Sequence, residues 1–211
     1  MSGKLIIVRH TESVWNGAGR WTGLTDVHLD DIGVNDAIKL GGKLTDIKID
    51  YAYVSMLDRS LETFEAIMVG ARQPDIPFKR VAAINERDYG AYTGKNKWQV
   101  QKEVGAETFQ QIRRGWDFPV PDGETLKDVY ERSVPWYTRV VVPMLRDGKN
   151  VLISAHGNSI RAMIKYIESL SDEQISKTEM IIGQILIYTV DKNGKKIDKH
   201  IKRIKTSPSL A

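Results

Sequence analysis

Cysteine is absent from the 211 residues, which excludes disulfides, thiolate catalysis and cysteine-ligated metal sites. Long apolar runs are absent too. The longest, residues 180–188, is interrupted by Gly183 and Gln184 and is far too short to span a bilayer. The apolar stretch at residues 5–8 is too short for a signal peptide, so a soluble, cytoplasmic protein with no membrane contact is expected. Charge of one sign is barely in excess: 31 basic residues face 27 acidic ones, for a net charge of +4. Outside the middle of the chain the only basic cluster is residues 192–205, where acids and apolar side chains are interspersed. Nucleic-acid binders concentrate their charge in a stripe or tail, so no nucleic-acid partner is expected. Basic groups converging on a small anion account for the same excess.

What is present is ordinary core material: 41% of the residues are hydrophobic and 27% charged. No repeat, low-complexity tract or linker interrupts the chain, and one domain over residues 1–211 is expected. Residues 4–9 form a β-branched apolar run that reads as a buried strand. Further strands are expected at 51–55, 150–155, 184–190 and 196–204, the last two joined at Lys192-Asn193-Gly194. Helical spacing covers residues 31–47, with Gly41-Gly42 as a weak point, and then 57–69, 106–115, 125–145 and 159–170. Pro135 and Pro143 should bend or trim the long helix. Residues 11–28 and 73–97 read as loops. This alternation implies an α/β fold of three layers, a mostly parallel sheet with helices on both faces. Ligands in such folds bind beyond the carboxyl ends of the strands.

That rule selects two places. Residues 4–9 lead into Arg9-His10-Thr11-Glu12-Ser13, and residues 150–155 lead into Ala155-His156-Gly157-Asn158-Ser159. Each puts a histidine where a buried strand exits. One such histidine could be a satisfied polar group; two of the four in the chain at matching positions point to chemistry. His28 and His200 lack this context. Neutral imidazole is a nucleophile near neutral pH, and its second nitrogen can be fixed by a backbone carbonyl. Phosphoryl transfer needs positive charge around the equatorial oxygens. Arg9, His156, and the helix N-terminus at Gly157 and Asn158 can supply it. Arg59 opens the helix after the second strand, at the same sheet edge. It reads as a phosphate ligand or as a solvated helix residue.

With these residues in view, the sequence resembles the histidine phosphatase superfamily, and within it the cofactor-dependent phosphoglycerate mutases. The matching stretches run from Arg9-His10-Thr11-Glu12-Ser13-Val14-Trp15-Asn16 and Trp21-Thr22-Gly23 to Ser55-Met56-Leu57-Asp58-Arg59-Ser60. They continue through Asn85-Glu86-Arg87-Asp88-Tyr89-Gly90, Gly94-Lys95-Asn96-Lys97 and Arg113-Arg114-Gly115 to Ala155-His156-Gly157-Asn158-Ser159-Ile160-Arg161. The resemblance implies a phosphoglycerate-mutase-like fold in which His10 is phosphorylated and Glu86 gives and takes the proton. It implies that Arg9, Arg59 and His156 hold the transferring phosphate, with Asn16, Thr22, Gly23, Gly157 and Asn158 completing that pocket. Arg87, Tyr89, Lys97, Arg113 and Arg114 would hold the other end of the substrate. The implied cofactor is 2,3-bisphosphoglycerate, the substrates are phosphoglycerates, no metal is required, and the chain is a monomer or small homo-oligomer.

The sequence departs from that family at four places. Thr11 replaces a glycine after the nucleophile, adding a side chain beside the phosphate pocket. Leu24 replaces a tryptophan. Residues 182–185 read Ile-Gly-Gln-Ile in place of Thr-Gly-x-Pro, and a segment of the longer members is missing around 119–123. The competing readings are a phosphatase of the same superfamily, in which water takes the phosphate from His10, and a non-catalytic anion-binding protein. A metallohydrolase is disfavoured because the histidines lack close ligand spacing and no carboxylate cluster accompanies them.

Overall fold

Residues 5–8 and 151–155 carry apolar side chains on both faces, and a strand of that kind is stable only at the centre of a sheet. In the computed structural model, which describes residues 3–206, they are central neighbours. β1 (Gly3–Arg9) pairs in parallel with β4 (Val151–Ala155), Leu5 opposite Val151 and Arg9 opposite Ala155. β2 (Tyr51–Val54) runs parallel to β4, and the short β3 (Phe78–Arg80) runs parallel to β2. On the other side β5 (Gln184–Val190) lies antiparallel to β1, and β6 (Lys196–Arg203) antiparallel to β5. The order is β3-β2-β4-β1-β5-β6, with the expected predominance of parallel pairing. Of the domain expected over 1–211, residues 1–2 and 207–211 lie outside the described residues.

Alternation along β1 sends Leu5 and Ile7 to one face and Ile6 and Val8 to the other. The second face packs on Ala37 and Leu40 of α2 (Asp31–Gly41), which follows the one-turn α1 (Val14–Gly17), and on Phe64 and Ile67 of α3 (Asp58–Ala71). The first packs on Tyr137, Val141, Leu145, Ile160 and Met163. These come from a stretch comprising α6 (Leu126–Trp136), a π-helical turn (Tyr137–Val141) and α7 (Val142–Arg146), and from α8 (Gly157–Ile167).

The elements differ from the sequence reading at several places, among them an unexpected helix at Lys97–Val104. The helix expected over 31–47 stops at Gly41 and continues as a 3-10 turn, Gly42–Leu44. There α2 and α3 touch backbone to backbone: a Cβ on Gly70 would stand 2.0 Å from the Ile38 carbonyl oxygen. The long helix is not cut short by its prolines but widened between them, with the Val142 N–H donating to Tyr137 in the π register. The region 73–97, read as loop, contains β3, whose three residues show no apolar alternation.

A satellite cluster of Trp21, Val100, Phe109, Ile112 and Val120 forms around α4 (Lys97–Val104) and α5 (Ala106–Arg114). Trp21 and Lys97 also line the cleft described next, so this cluster roofs the carboxyl ends of the parallel strands.

Candidate active site

His10 leaves β1 while its N–H still pairs with the Ala155 carbonyl at 2.9 Å, which fixes it beside the exit of β4. Its ring is buried, with Nδ1 2.8 Å from the Thr11 carbonyl oxygen. A carbonyl only accepts, so Nδ1 carries the hydrogen and Nε2 keeps a free lone pair. Burial holds the imidazole well below its ordinary pKa, reinforced by Arg59 and Arg9 and opposed by the Thr11 bond. His10 is therefore a neutral imidazole at physiological pH, with the Nε2 lone pair open.

His156 sits at the N-cap of α8, its ring centroid 5.0 Å from that of His10. Its Nε2 is 2.7 Å from Ser55 Oγ, which also accepts the Leu57 N–H at 3.1 Å. Burial, Arg59 and His10 hold this imidazole neutral as well. With the Ser55 hydroxyl donating to Nε2, the ring hydrogen would lie on Nδ1. Among the described residues Nδ1 has no protein partner, and neither do Arg9 Nε and Arg59 Nε. Three buried donors left open at one sheet edge suit an anion.

Arg59, fully buried at the start of α3, forks onto the carbonyls of Gly23 and Thr25, each at 2.9 Å. Burial lowers it to about 10, against the pull of Glu86. Gly23 has φ +54°, and a Cβ there would stand 3.0 Å from Thr93 Oγ1, so glycine is required. Arg9 Nη1 donates to the Met180 carbonyl at 3.0 Å.

Glu86 enters from the segment after β3. Arg132 holds that segment, donating to the carbonyls of Asn85 and Glu86 at 3.1 and 2.9 Å while pairing with Glu124. Glu86 Oε1 accepts from the N–H groups of Arg87 (2.8 Å) and Asn158 (3.2 Å) and from Asn158 Nδ2 (3.1 Å). Gly157 lies between the Glu86 carboxylate and the Arg9 guanidinium: its Cβ, if present, would be 3.7 Å from both Glu86 Oε2 and Arg9 Cζ.

Nine of the residues expected at the site line one cleft of about 50 Å³: Arg9, His10, Asn16, Thr22, Gly23, Arg59, Glu86, Tyr89 and Lys97. Lys97, the first residue of α4, is pushed down to about 8 by burial and by Arg9 and Arg113. Arg87 turns towards α5, donating to the Ile112 carbonyl at 2.6 Å with its guanidinium 4.5 Å from the Tyr89 ring centre. Arg113 and Arg114 end α5 farther out. Arg113 covers the Phe109 ring and Arg114 pairs with Glu179. Arg20 and Trp21 also line the cleft, although sequence reasoning gave them no role. Arg132 and Arg161, whose partners include carbonyls distant in sequence, had no assigned role either. A larger hollow of about 750 Å³, lined by Asp46, Lys48 and Arg72 among others, contains none of the histidines. Among the described residues no cluster of three or more histidines and carboxylates forms, and no helix is long and apolar enough to cross a membrane.

Residues 5–202 match the family described as Histidine phosphatase superfamily (branch 1). A phosphoglycerate mutase of Schizosaccharomyces pombe is 40% identical, over 93% of this chain and 94% of its own. A 2,3-bisphosphoglycerate-dependent phosphoglycerate mutase of Staphylococcus carnosus is 38% identical, over 93% and 98%. Among solved structures, a mycobacterial glucosyl-3-phosphoglycerate phosphatase superposes with a TM-score of 0.81 at 18% identity, covering 98% of this chain and all of its own. At that identity the likeness concerns the fold alone.

Proposed function

The chain belongs to the histidine phosphatase superfamily, and we propose that within it the protein acts as a 2,3-bisphosphoglycerate-dependent phosphoglycerate mutase, interconverting 2- and 3-phosphoglycerate. The observation that carries this reading is the pairing in one cleft of His10, its Nε2 lone pair free, with the carboxylate of Glu86. The mutase relatives at 38–40% identity support it.

His10 Nε2 offers its lone pair to phosphorus as the bond to the ester oxygen breaks. Arg9 Nε, Arg59 Nε and His156 Nδ1–H are placed to donate to the phosphoryl oxygens, spreading charge that a metal carries in other phosphoryl-transfer sites. Glu86 delivers a proton to the departing hydroxyl oxygen. In the return step it takes a proton from the attacking hydroxyl as the N–P bond breaks. Asn16, Thr22, Gly23 and the α8 N-terminus at Gly157 and Asn158 complete the phosphate end. Lys97 and Tyr89, with Arg87, Arg113 and Arg114 behind them, meet the carboxylate end. When bound, 2,3-bisphosphoglycerate supplies the phosphoryl group that loads His10, and the unpaired donors fit its anionic ends. The reading takes the chain as one domain, cytoplasmic, a monomer or small homo-oligomer, with no nucleic-acid or membrane partner and no metal. A phosphatase needs only the first anionic end; Lys97 and Tyr89 in the same cleft favour the mutase over it.

The test is phosphoryl loading. Incubation with labelled 2,3-bisphosphoglycerate in EDTA should leave acid-labile phosphate on the wild type and none on His10→Ala, and 3-phosphoglycerate should discharge it onto product. Discharge to water at a rate indifferent to 3-phosphoglycerate would establish the phosphatase instead. Loading that requires a divalent ion would remove the metal-free mechanism.

A further inference from the structure

Arg161 of α8 is fully buried, yet its hydrogen-bond acceptors are all neutral. Nε donates to the Thr178 carbonyl (2.9 Å), Nη1 to Asn158 Oδ1 (3.0 Å), and Nη2 to the carbonyls of Arg114 (2.9 Å) and Ile175 (2.8 Å). A buried guanidinium without a carboxylate beside it is costly, and an apolar side chain of similar size would fill the space more cheaply. Burial, with Arg114 and Arg87 adding repulsion, lowers it to about 9. The charge therefore calls for an explanation beyond packing.

Asn158 supplies it. An amide can turn end for end, and its neighbours decide which end is which. With Oδ1 facing Arg161, Nδ2 must face the other way, where it donates to Glu86 Oε1 (3.1 Å) and the Tyr89 hydroxyl (2.9 Å). The flipped amide would set NH₂ against the guanidinium and a carbonyl oxygen against the carboxylate, repulsive at both ends. We propose that Arg161 is a positioning residue for Glu86: it fixes the Asn158 amide so that Oε1 is held and Oε2 is left to exchange the proton. Through the Arg114 carbonyl the same guanidinium fastens the end of α5, linking the acid–base group to the Arg113-Arg114 pair. This role rests on the mutase reading above.

A double-mutant cycle on mutase turnover tests it, with folding checked by circular dichroism. Arg161→Met and Asn158→Ala should each lower kcat by roughly ten- to a hundredfold, with far smaller changes in KM, because a misplaced acid–base group loses rate before affinity. The double variant should be no slower than the slower single variant. Independent, multiplying losses would overturn the proposal. Should Arg161→Met fail to fold, Asn158→Asp decides: it keeps the acceptor for Arg161 but loses the NH₂, and near wild-type kcat would overturn the role. A wild type that does not interconvert phosphoglycerates would remove the proposed function and this role with it. Multiplying losses in an active wild type would remove this role alone.

Discussion

The Oγ1 atoms of Thr11 and Thr63 lie 3.3 Å apart, and the Thr11 N–H donates to that same Thr63 oxygen at 3.1 Å. Thr63 gives its own hydrogen to the Arg59 carbonyl at 2.7 Å, so the Thr11 hydroxyl must be the donor between them. The residue that stands in the place of a glycine therefore turns into α3, not into the phosphate pocket. Its backbone needs no glycine: the non-glycine residues with positive φ among those described are Arg72, Asp122 and Ser169. Thr11→Gly should keep kcat within a few-fold and destabilise the protein by about 1 kcal/mol. Thr63→Val, which strands the Thr11 N–H, should destabilise by about 1–3 kcal/mol. Denaturant midpoints and kcat check both, and a Thr11→Gly variant without activity would show that the hydroxyl serves the chemistry.

Lys97 gives the reaction a basic limb. Its folded-state pKa of about 8 means that the free enzyme loses this cation as pH rises through that value. An anionic substrate favours the charged form, so the limb should move to higher pH in the complex. The profile of kcat/KM should fall above pH ~8, while kcat falls only at higher pH. Lys97→Arg should abolish the limb in kcat/KM. A limb unchanged in that variant would assign it to another group.

The basic pair at the end of α5 is expected to separate transfer from hydrolysis. A mutase must retain a doubly phosphorylated species while it turns around, and charge-assisted contacts are worth about 1.5–3 kcal/mol each. Replacing Arg113 and Arg114 together with alanine should lower mutase turnover strongly. His10 should still be phosphorylated by small donors, and the ratio of hydrolysis to transfer should rise. Equal loss of both activities in a folded variant would show that the pair does not discriminate between them.

Acid should unfold the protein earlier than its carboxylates alone require. His10 and His156 titrate near the ordinary 6.5 in the unfolded chain and well below it in the folded one. Below pH 6.5 the unfolded state binds more protons, so stability is lost as pH falls. The slope is up to about 1.4 kcal/mol per pH unit for each histidine. Denaturation at pH 7, 6 and 5 should show this loss, and His156→Gln should flatten it. A slope unchanged in that variant would mean that the His156 ring is not buried neutral.

What the sequence made legible is what continuous apolar strands announce. β1 and β4 were plain as runs without a polar break, and the histidines after them followed from position. The middle of the site was legible chiefly by resemblance, because Glu86 and Lys97 lie in segments with no period of their own. Arg132 and Arg161 were not legible, since a helical arginine looks the same whether it meets water or carbonyls some tens of residues away. The end of α2 was misjudged because the contact between Gly41 and Gly70 is tertiary, and β3 because three residues carry too little pattern.

Among the described residues the sheet ends at β6, which has no partner strand along its outer edge and is exposed over most of its length. A free edge with Ile197 and Ile201 in the open would invite strand addition and fibrous aggregation. Lys199 and Lys202 are paired with Glu168 and Asp46, but Lys196 and Arg203 stand at the two ends of the strand, so a second copy laid antiparallel alongside would set like charges against each other. The chain thus carries its own insulation against edge-to-edge growth, and salt that screens these charges should weaken it.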